Sequence, residues 1–211
     1  FDLDENVCFL KVENPKYGTL DCDRSKWEVV FCNSDEKNAV SEPNGDKGGV
    51  GCLFDDDINS YWHANWSGGT NNDDQFPQLF QGGREMPITI VVDMKESLIV
   101  HSIGWTQRQN SDYQDTKKVE YYVSDDEQFK LGGKEDYSPV ALNNWTFVME
   151  RSYQKGYNAT QWQTQSEEVL QKKVKGHLLK VKIVEGYRDR LASGAELYVK
   201  QLLAIDGEPI K

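Results

Sequence analysis

A chain of 211 residues is long enough to close one hydrophobic core, and sandwiches or barrels of this length commonly remain a single unit. Its 24 Lys and Arg against 35 Asp and Glu leave a net charge of -11, which repels phosphate backbones and anionic headgroups and so excludes nucleic acid and acidic membranes as partners. The 37% of hydrophobic residues form no apolar run long enough for a transmembrane helix, so a globular domain without membrane insertion is expected.

The chain opens on Phe1 with no Met, basic segment or apolar run, as a processed chain or excised fragment would. NVCFLKV (6–12) alternates as a strand does, and residues 1–24 are read as an N-terminal strand and extension ahead of a main domain over 25–211. Cys8, Cys22, Cys32 and Cys52 lack the CxxC spacing of a zinc or redox site, which leaves disulfides and buried thiols both open. WEVVFCN (27–33) predicts the next strand. Past the break NGDKGG (44–49) comes an unusual segment, CLFDDDINSYWHANWSGG (52–69). Alternation then returns in ITIVVDM (88–94), VHSIGWTQR (100–108), KKVEYYVS (117–124), WTFVMERS (145–152), HLLKVKIVEG (177–186) and LYVKQLLAIDG (197–207).

In KKVEYYVS one face carries Val119, Tyr121 and Val123 and the other Lys118, Glu120, Tyr122 and Ser124. About eight such strands between polar loops predict an all-β antiparallel sandwich. SEEVLQKKV (166–174) predicts a short helix, with Ser166 as its cap and acids in its first turn. Trp62, Trp105, Tyr121 and Trp145 are expected in the core, His101 and His177 in structural roles, and Asp125, Asp126 and Glu127 in a solvated turn.

Asp55, Asp57 and Asn59 stand at the first, third and fifth ligand places of an EF-hand loop, but Ser60 and Trp66 occupy the places that need Gly and Glu. An EF-hand is excluded. A different oxygen cage for a hard cation and a simple Asx-turn with solvated acids both remain open. No GxSxG, HExxH or nucleophile-base motif appears, which points away from an enzyme, although paired carboxylates of the glycosidase kind stay open among 35 acids.

The run LFDDDINSYWHANW, followed by PITIVVDM, IGWTQR and KKVEYYVSDD, resembles the F5/8 type C or discoidin-like domains, including family 32 carbohydrate-binding modules. The match keeps its order from about Trp27 to Gly207. The resemblance implies a galactose-binding-like jelly-roll β-sandwich whose turn holds a structural Ca2+. By position, Asp55 and Asp57 supply oxygens, Ser60 replaces the usual Thr, and Cys52 offers its backbone carbonyl. Either Glu196, in Ala195-Glu196, or Gln201, in Lys200-Gln201, completes the cage, and Gln201 would remove one negative charge from it.

The resemblance also implies that His63 and Arg108 contact sugar hydroxyls and that Trp66 matches an aromatic of some members; Tyr113, on the loop NSDYQD, is a further stacking platform. It implies weak, non-catalytic binding of galactose-type glycans by a module of a larger extracellular or cell-surface protein, the bacterial outer surface or periplasm included. Rival readings stand beside these: His63 bonded to a loop carbonyl, Trp66 closing the end of the sandwich, Arg108 in a surface ion pair. The alternative function is a discoidin-like protein-interaction module with no sugar site.

Overall fold

The structure is a computed structural model that describes residues 16–35, 49–65, 86–129 and 144–210. The strand expected at 6–12, Cys8, Trp66 and the loop 67–83 lie outside the described residues. Within them the order is β1 (Tyr17–Asp21), β2 (Glu28–Cys32), β3 (Trp62–His63), β4 (Ile88–Leu98), β5 (Val100–Thr106), β6 (Thr116–Ser124), β7 (Thr146–Ser152), β8 (Gln161–Thr164), α1 (Glu167–Gln171), β9 (Gly176–Gly186), β10 (Ser193–Gly194), β11 (Glu196–Ile205) and β12 (Glu208–Pro209).

Two antiparallel sheets face each other: β1-β11-β5-β8, with β12 on the end of β11, and β2-β4-β9-β6-β7; β3 and β10 form a separate pair. This is the expected all-β jelly-roll sandwich. All seven alternating runs between Trp27 and Gly207 are strands, with ends within a few residues of those predicted. Residues 17–21 of the expected N-terminal extension form an edge strand of the first sheet, in register Tyr17 to Ile205 and Asp21 to Lys200. The Asp206 N–H donates to the Lys16 carbonyl, so the start of β1 and the end of β11 lie side by side.

The period-2 pattern is what fills the core. Ile88, Ile90 and Val92 of β4, Val119, Tyr121 and Val123 of β6, and Leu179, Val181 and Ile183 of β9 point inward to meet Ile103 and Trp105 of β5 and Leu197 and Val199 of β11. Trp105 stacks on Tyr153 at 5.9 Å between ring centroids, and the Tyr153 hydroxyl lies 2.8 Å from that of Tyr121. Gly194 is required by this packing, because a Cβ there would come 2.3 Å from Trp105 Cζ2. Helix α1 is shorter than its sequence signal. Ser166 caps it as expected, Lys173 ends it at a left-handed φ of 50°, and Leu170 anchors it on Ile99 and Leu202.

One expected core residue is elsewhere: Trp145 is half-buried on the outer face of the second sheet, beside Tyr122. Lys180 of β9 lies on that face with 0% of its surface exposed. Its amine sits 4.0 Å from the Tyr122 ring centroid and 4.6 Å from that of Trp145, and Nζ has no hydrogen-bond partner. The three described cysteines, Cys22, Cys32 and Cys52, are thiols. No helix among the described residues is long and apolar enough to cross a membrane.

His177 sits between two acceptors, a setting that favours its charged form. Nδ1 lies 3.1 Å from Asp93 Oδ1 and Nε2 2.6 Å from the Asp126 carbonyl oxygen, so both ring nitrogens face acceptors. Burial works against the imidazolium, but the bonds to Asp93 and Asp126 outweigh it and raise the pKa above 6.5. A raised folded-state value means a stabilising contribution that is complete below the unfolded pKa and is lost as pH rises through the folded one. In an NMR titration, the His177 ring protons should move with a midpoint above 6.5; a midpoint at or below it would contradict the double acceptor arrangement.

Candidate functional site

The end of the sandwich where β5 runs out and β6 begins is built around Gln107. Its buried amide makes four bonds: Oε1 accepts from Trp105 Nε1 (3.1 Å) and the Thr116 N–H (3.2 Å), and Nε2 donates to the carbonyls of Thr116 (2.7 Å) and Gln154 (3.1 Å). Both ends of the 107–115 loop are thereby clamped, as a fully satisfied buried polar network does. The middle of the loop is presented outward. Ser193 Oγ donates to the Gln114 carbonyl (3.0 Å), and the Tyr187 N–H donates to the Asp115 carbonyl (2.9 Å), which docks the 187–191 turn and the β3–β10 pair against the loop.

Asp115 is buried beside them. Its Oδ2 accepts from the Gly156 N–H at 2.6 Å, and Oδ1 has no hydrogen-bond partner. Burial pushes its carboxyl upward, against the pull of the Gly156 N–H.

Arg108 follows the clamp directly. Its guanidinium carbon lies 3.8 Å from the centroid of the Tyr61 ring, Nη2 donates to the Tyr61 hydroxyl at 2.9 Å, and Nε donates to Asn110 Oδ1. Among the described residues its partners are Tyr61 and Asn110 rather than a carboxylate. Tyr113 is 50% exposed, with the Arg188 guanidinium carbon 3.3 Å from its ring centroid. His63, in contrast, is 0% exposed. Its Nδ1 lies 3.3 Å from the Ala64 carbonyl and its ring 5.8 Å from that of Tyr61.

The structure thus puts Arg108 and Tyr113 on one clamped loop, Arg108 against Tyr61 and Tyr113 against Arg188, and packs His63 on Tyr61. Tyr61, Gln107, Asp115 and Arg188 were not visible as site residues from sequence. The one available signal was the Arg-Asp-Arg of YRDRL (187–191), two cations in a strongly acidic chain.

The acidic turn lies at the same end. Asp55 accepts from the Asp57 N–H (2.9 Å) and from Ser60 Oγ (2.7 Å), and Asp57 accepts from the Asn59 N–H (2.9 Å), which is the geometry of successive Asx-turns. Asp56 takes a left-handed φ of 61°, a conformation Asp tolerates better than most residues. Of the two alternatives for the last strand, Glu196 is the one whose carboxyl feels the charge of Asp55. Gln201 lies beside Cys22, Met94 and Leu98, and Cys52 is buried, its N–H donating to the Gly49 carbonyl.

Arg24 occupies the space between the turn and the last strand. Asp23, whose side chain accepts from the Ser25 N–H at 3.0 Å, caps the single 3-10 turn (Arg24–Lys26) that aims it there. Arg24 Nη1 donates to the carbonyls of Leu53 (3.1 Å) and Leu197 (2.9 Å) and to Glu196 Oε2 (2.5 Å), while Nη2 donates to Asp56 Oδ1. Burial pushes the Glu196 carboxyl up to about 7; Arg24 opposes that shift and Asp55 adds to it. A calcium ion needs six to eight oxygens, roughly, at about 2.3–2.6 Å. The Leu53 and Leu197 carbonyls, Glu196 Oε2 and Asp56 Oδ1 already serve a guanidinium and Asp55 is bonded within its own turn, which leaves Glu196 Oε1 as the one buried oxygen of Glu196 without a hydrogen-bond partner. Among the described residues no three His, Cys, Asp or Glu side chains converge on a metal position. The residues present do not fit the ion.

No family model matches the sequence, and no curated protein matches it. Solved structures do share its fold. The C-terminal domain of a chitobiase from Bacteroides fragilis is similar at a TM-score of 0.61 and 18% identity, over 88% of this chain and 100% of that domain. The family 32 carbohydrate-binding module of Clostridium perfringens NanJ, in complex with galactose, gives 0.56 and 18%, over 87% and 99%. A second Clostridium perfringens module, in complex with GalNAc-β-1,3-galactose, gives 0.59 and 17%, over 85% and 99%. The sandwich is therefore the fold of family 32 carbohydrate-binding modules, a discoidin-like architecture.

Proposed function

We propose that this protein is a non-catalytic carbohydrate-binding module for galactose-type glycans, with its site on the loop end that carries Arg108, Tyr113 and Arg188. The observation that carries the reading is the pairing of Arg108, held flat by Tyr61, with a half-exposed Tyr113 on the same clamped loop. A pyranose needs an aromatic face for its C–H surface and fixed donors for its hydroxyls. Tyr113 offers the first and Arg108 the second. The galactose and GalNAc complexes of proteins with this fold support the choice of ligand.

His63 enters as a positioning residue: packed on Tyr61, it holds the ring that holds Arg108. Affinity per site is weak, since a small polar ligand gains little area and exchanges water hydrogen bonds one for one. Retention at a glycan-bearing surface outside the cell then comes from several modules or from attachment to a larger protein.

Isothermal titration calorimetry with galactose, N-acetylgalactosamine and lactose tests this. Saturable heat is expected for the wild type. Arg108→Ala and Tyr113→Ala should each weaken binding by about tenfold or more, the worth of one charge-assisted bond or one stacking face. His63→Ala should weaken it less and leave the ligand preference unchanged. No heat with any of the three sugars from folded protein would overturn the reading in favour of a discoidin-like protein-interaction module.

A further inference from the structure

We propose that Arg24 is the domain's built-in structural cation, so that the acidic turn is held without calcium or any other divalent ion. The guanidinium is enclosed on every side by groups that would suit a cation. Two backbone carbonyls, Leu53 and Leu197, and two carboxylates, Glu196 and Asp56, accept its hydrogens, and the Tyr198 ring covers its face at 4.1 Å from the guanidinium carbon. Only 4% of its side chain is exposed, and the Glu196 side chain is exposed to 0%.

These acceptors come from the turn and from the first residues of β11. Arg24 comes from a third segment, 29 residues before Leu53 and 172 before Glu196. One planar ion thus ties three remote stretches together, which is the task a bound metal performs in a cage of this composition. The planar fork of Arg suits it to several fixed acceptors at once, where the compact ammonium of Lys could not span them. A divalent ion placed among the same oxygens would have to sit against a buried positive charge, at a large Coulomb cost in a poorly solvated site. Occupation by Arg24 and occupation by calcium exclude each other.

The test needs calcium alone and does not involve the sugar site. The melting temperature of the full chain should be the same within about 1 °C in about 5 mM CaCl2 and in EDTA, because a ligand shifts Tm only by binding the folded state. Titration of CaCl2 into metal-free protein should give no saturable heat. Arg24→Ala should melt several degrees lower in EDTA and should take up calcium in the emptied cage, with Tm rising again on its addition. Arg24→Lys, with the charge but not the fork, should fall between wild type and Arg24→Ala. Stoichiometric calcium binding by wild type with a Tm increase of several degrees would overturn the proposal. So would an Arg24→Ala protein that melts like wild type, or one that binds no calcium, since the oxygens would then form no cation cage. Should Arg24→Ala fail to fold, the wild-type titration and Arg24→Lys decide the question.

Discussion

Trp62→Ala is expected to remove about 3–5 kcal/mol of stability, the cost of deleting a large aromatic from a packed core. Trp62 has 0% of its surface exposed and lies in the cluster that joins the two sheets. Its Nε1 also donates to the Ser34 carbonyl at 3.2 Å, and Ser34 Oγ in turn accepts from the Asn65 N–H at 2.9 Å, so the indole pins the 33–35 segment to the 62–65 segment. Against a net stability on the order of 5–15 kcal/mol, that loss brings the domain close to unfolding.

The neighbouring residue makes the effect functional as well. β3 is only two residues long, and the position of His63, and through it Tyr61 and Arg108, follows that of Trp62. Urea denaturation should show a much lower midpoint with an unchanged slope, and sugar binding should weaken in the population that stays folded. Trp62→Phe should recover most of the packing but not the bond to Ser34, leaving a deficit of about 1–2 kcal/mol. A Trp62→Ala protein within about 1 kcal/mol of wild type would mean that the site collapses around the deletion far better than cores usually do.

Lys180→Met should act in the opposite direction. Burial pushes the Lys180 amine down to about 8, and Lys182 adds to the shift while Glu120 opposes it. The folded chain therefore binds this proton less well than the unfolded chain, whose lysine titrates near 10.4. The resulting penalty is complete below the folded-state value and disappears as pH rises past the unfolded one, so this group makes the protein more stable as pH rises between them. Met fills the same slot between Tyr122 and Trp145 with no charge to desolvate.

At about pH 7 the variant should gain roughly 1–3 kcal/mol, less whatever the two rings return through cation–π attraction. Denaturation midpoints at about pH 7 and about pH 9.5 provide the check, and the gain should shrink at the higher pH. A variant less stable than wild type at neutral pH would show that the rings hold the ammonium more strongly than burial opposes it.

Most of the fold was legible because alternation is a local property: β4, β6, β9 and β11 each carry their own apolar face. What escaped was short or had no such face. β8 reads Gln-Trp-Gln-Thr with both sides partly wet, and β3 and β10 are too brief for any period. Trp145 was misplaced for a related reason, since it precedes β7 and packs under a lysine on the outer face rather than taking an inward position.

The site was legible by residue type but not by partnership. Tyr113 and Arg108 stand on one loop in the sequence and in space. Nothing in the stretch DCDRSKW marks Arg24 as the cation that meets Glu196, because contacts across 172 residues leave no periodic trace. His63 was the most conspicuous candidate in the opening motif, and its burial against Tyr61 is a tertiary property that residue identity alone does not carry.

The register of β1 against β11 has a consequence for how the domain is mounted. Glu196 pairs with Thr106 beside the Arg108 loop, whereas Tyr17 pairs with Ile205 at the other end of a strand about 33 Å long. Lys16 and the Ile205–Glu208 turn therefore share the pole farthest from the Arg108 loop. A neighbour joined at that pole would leave the Arg108 and Tyr113 loop facing away from it, at the free end of the sandwich.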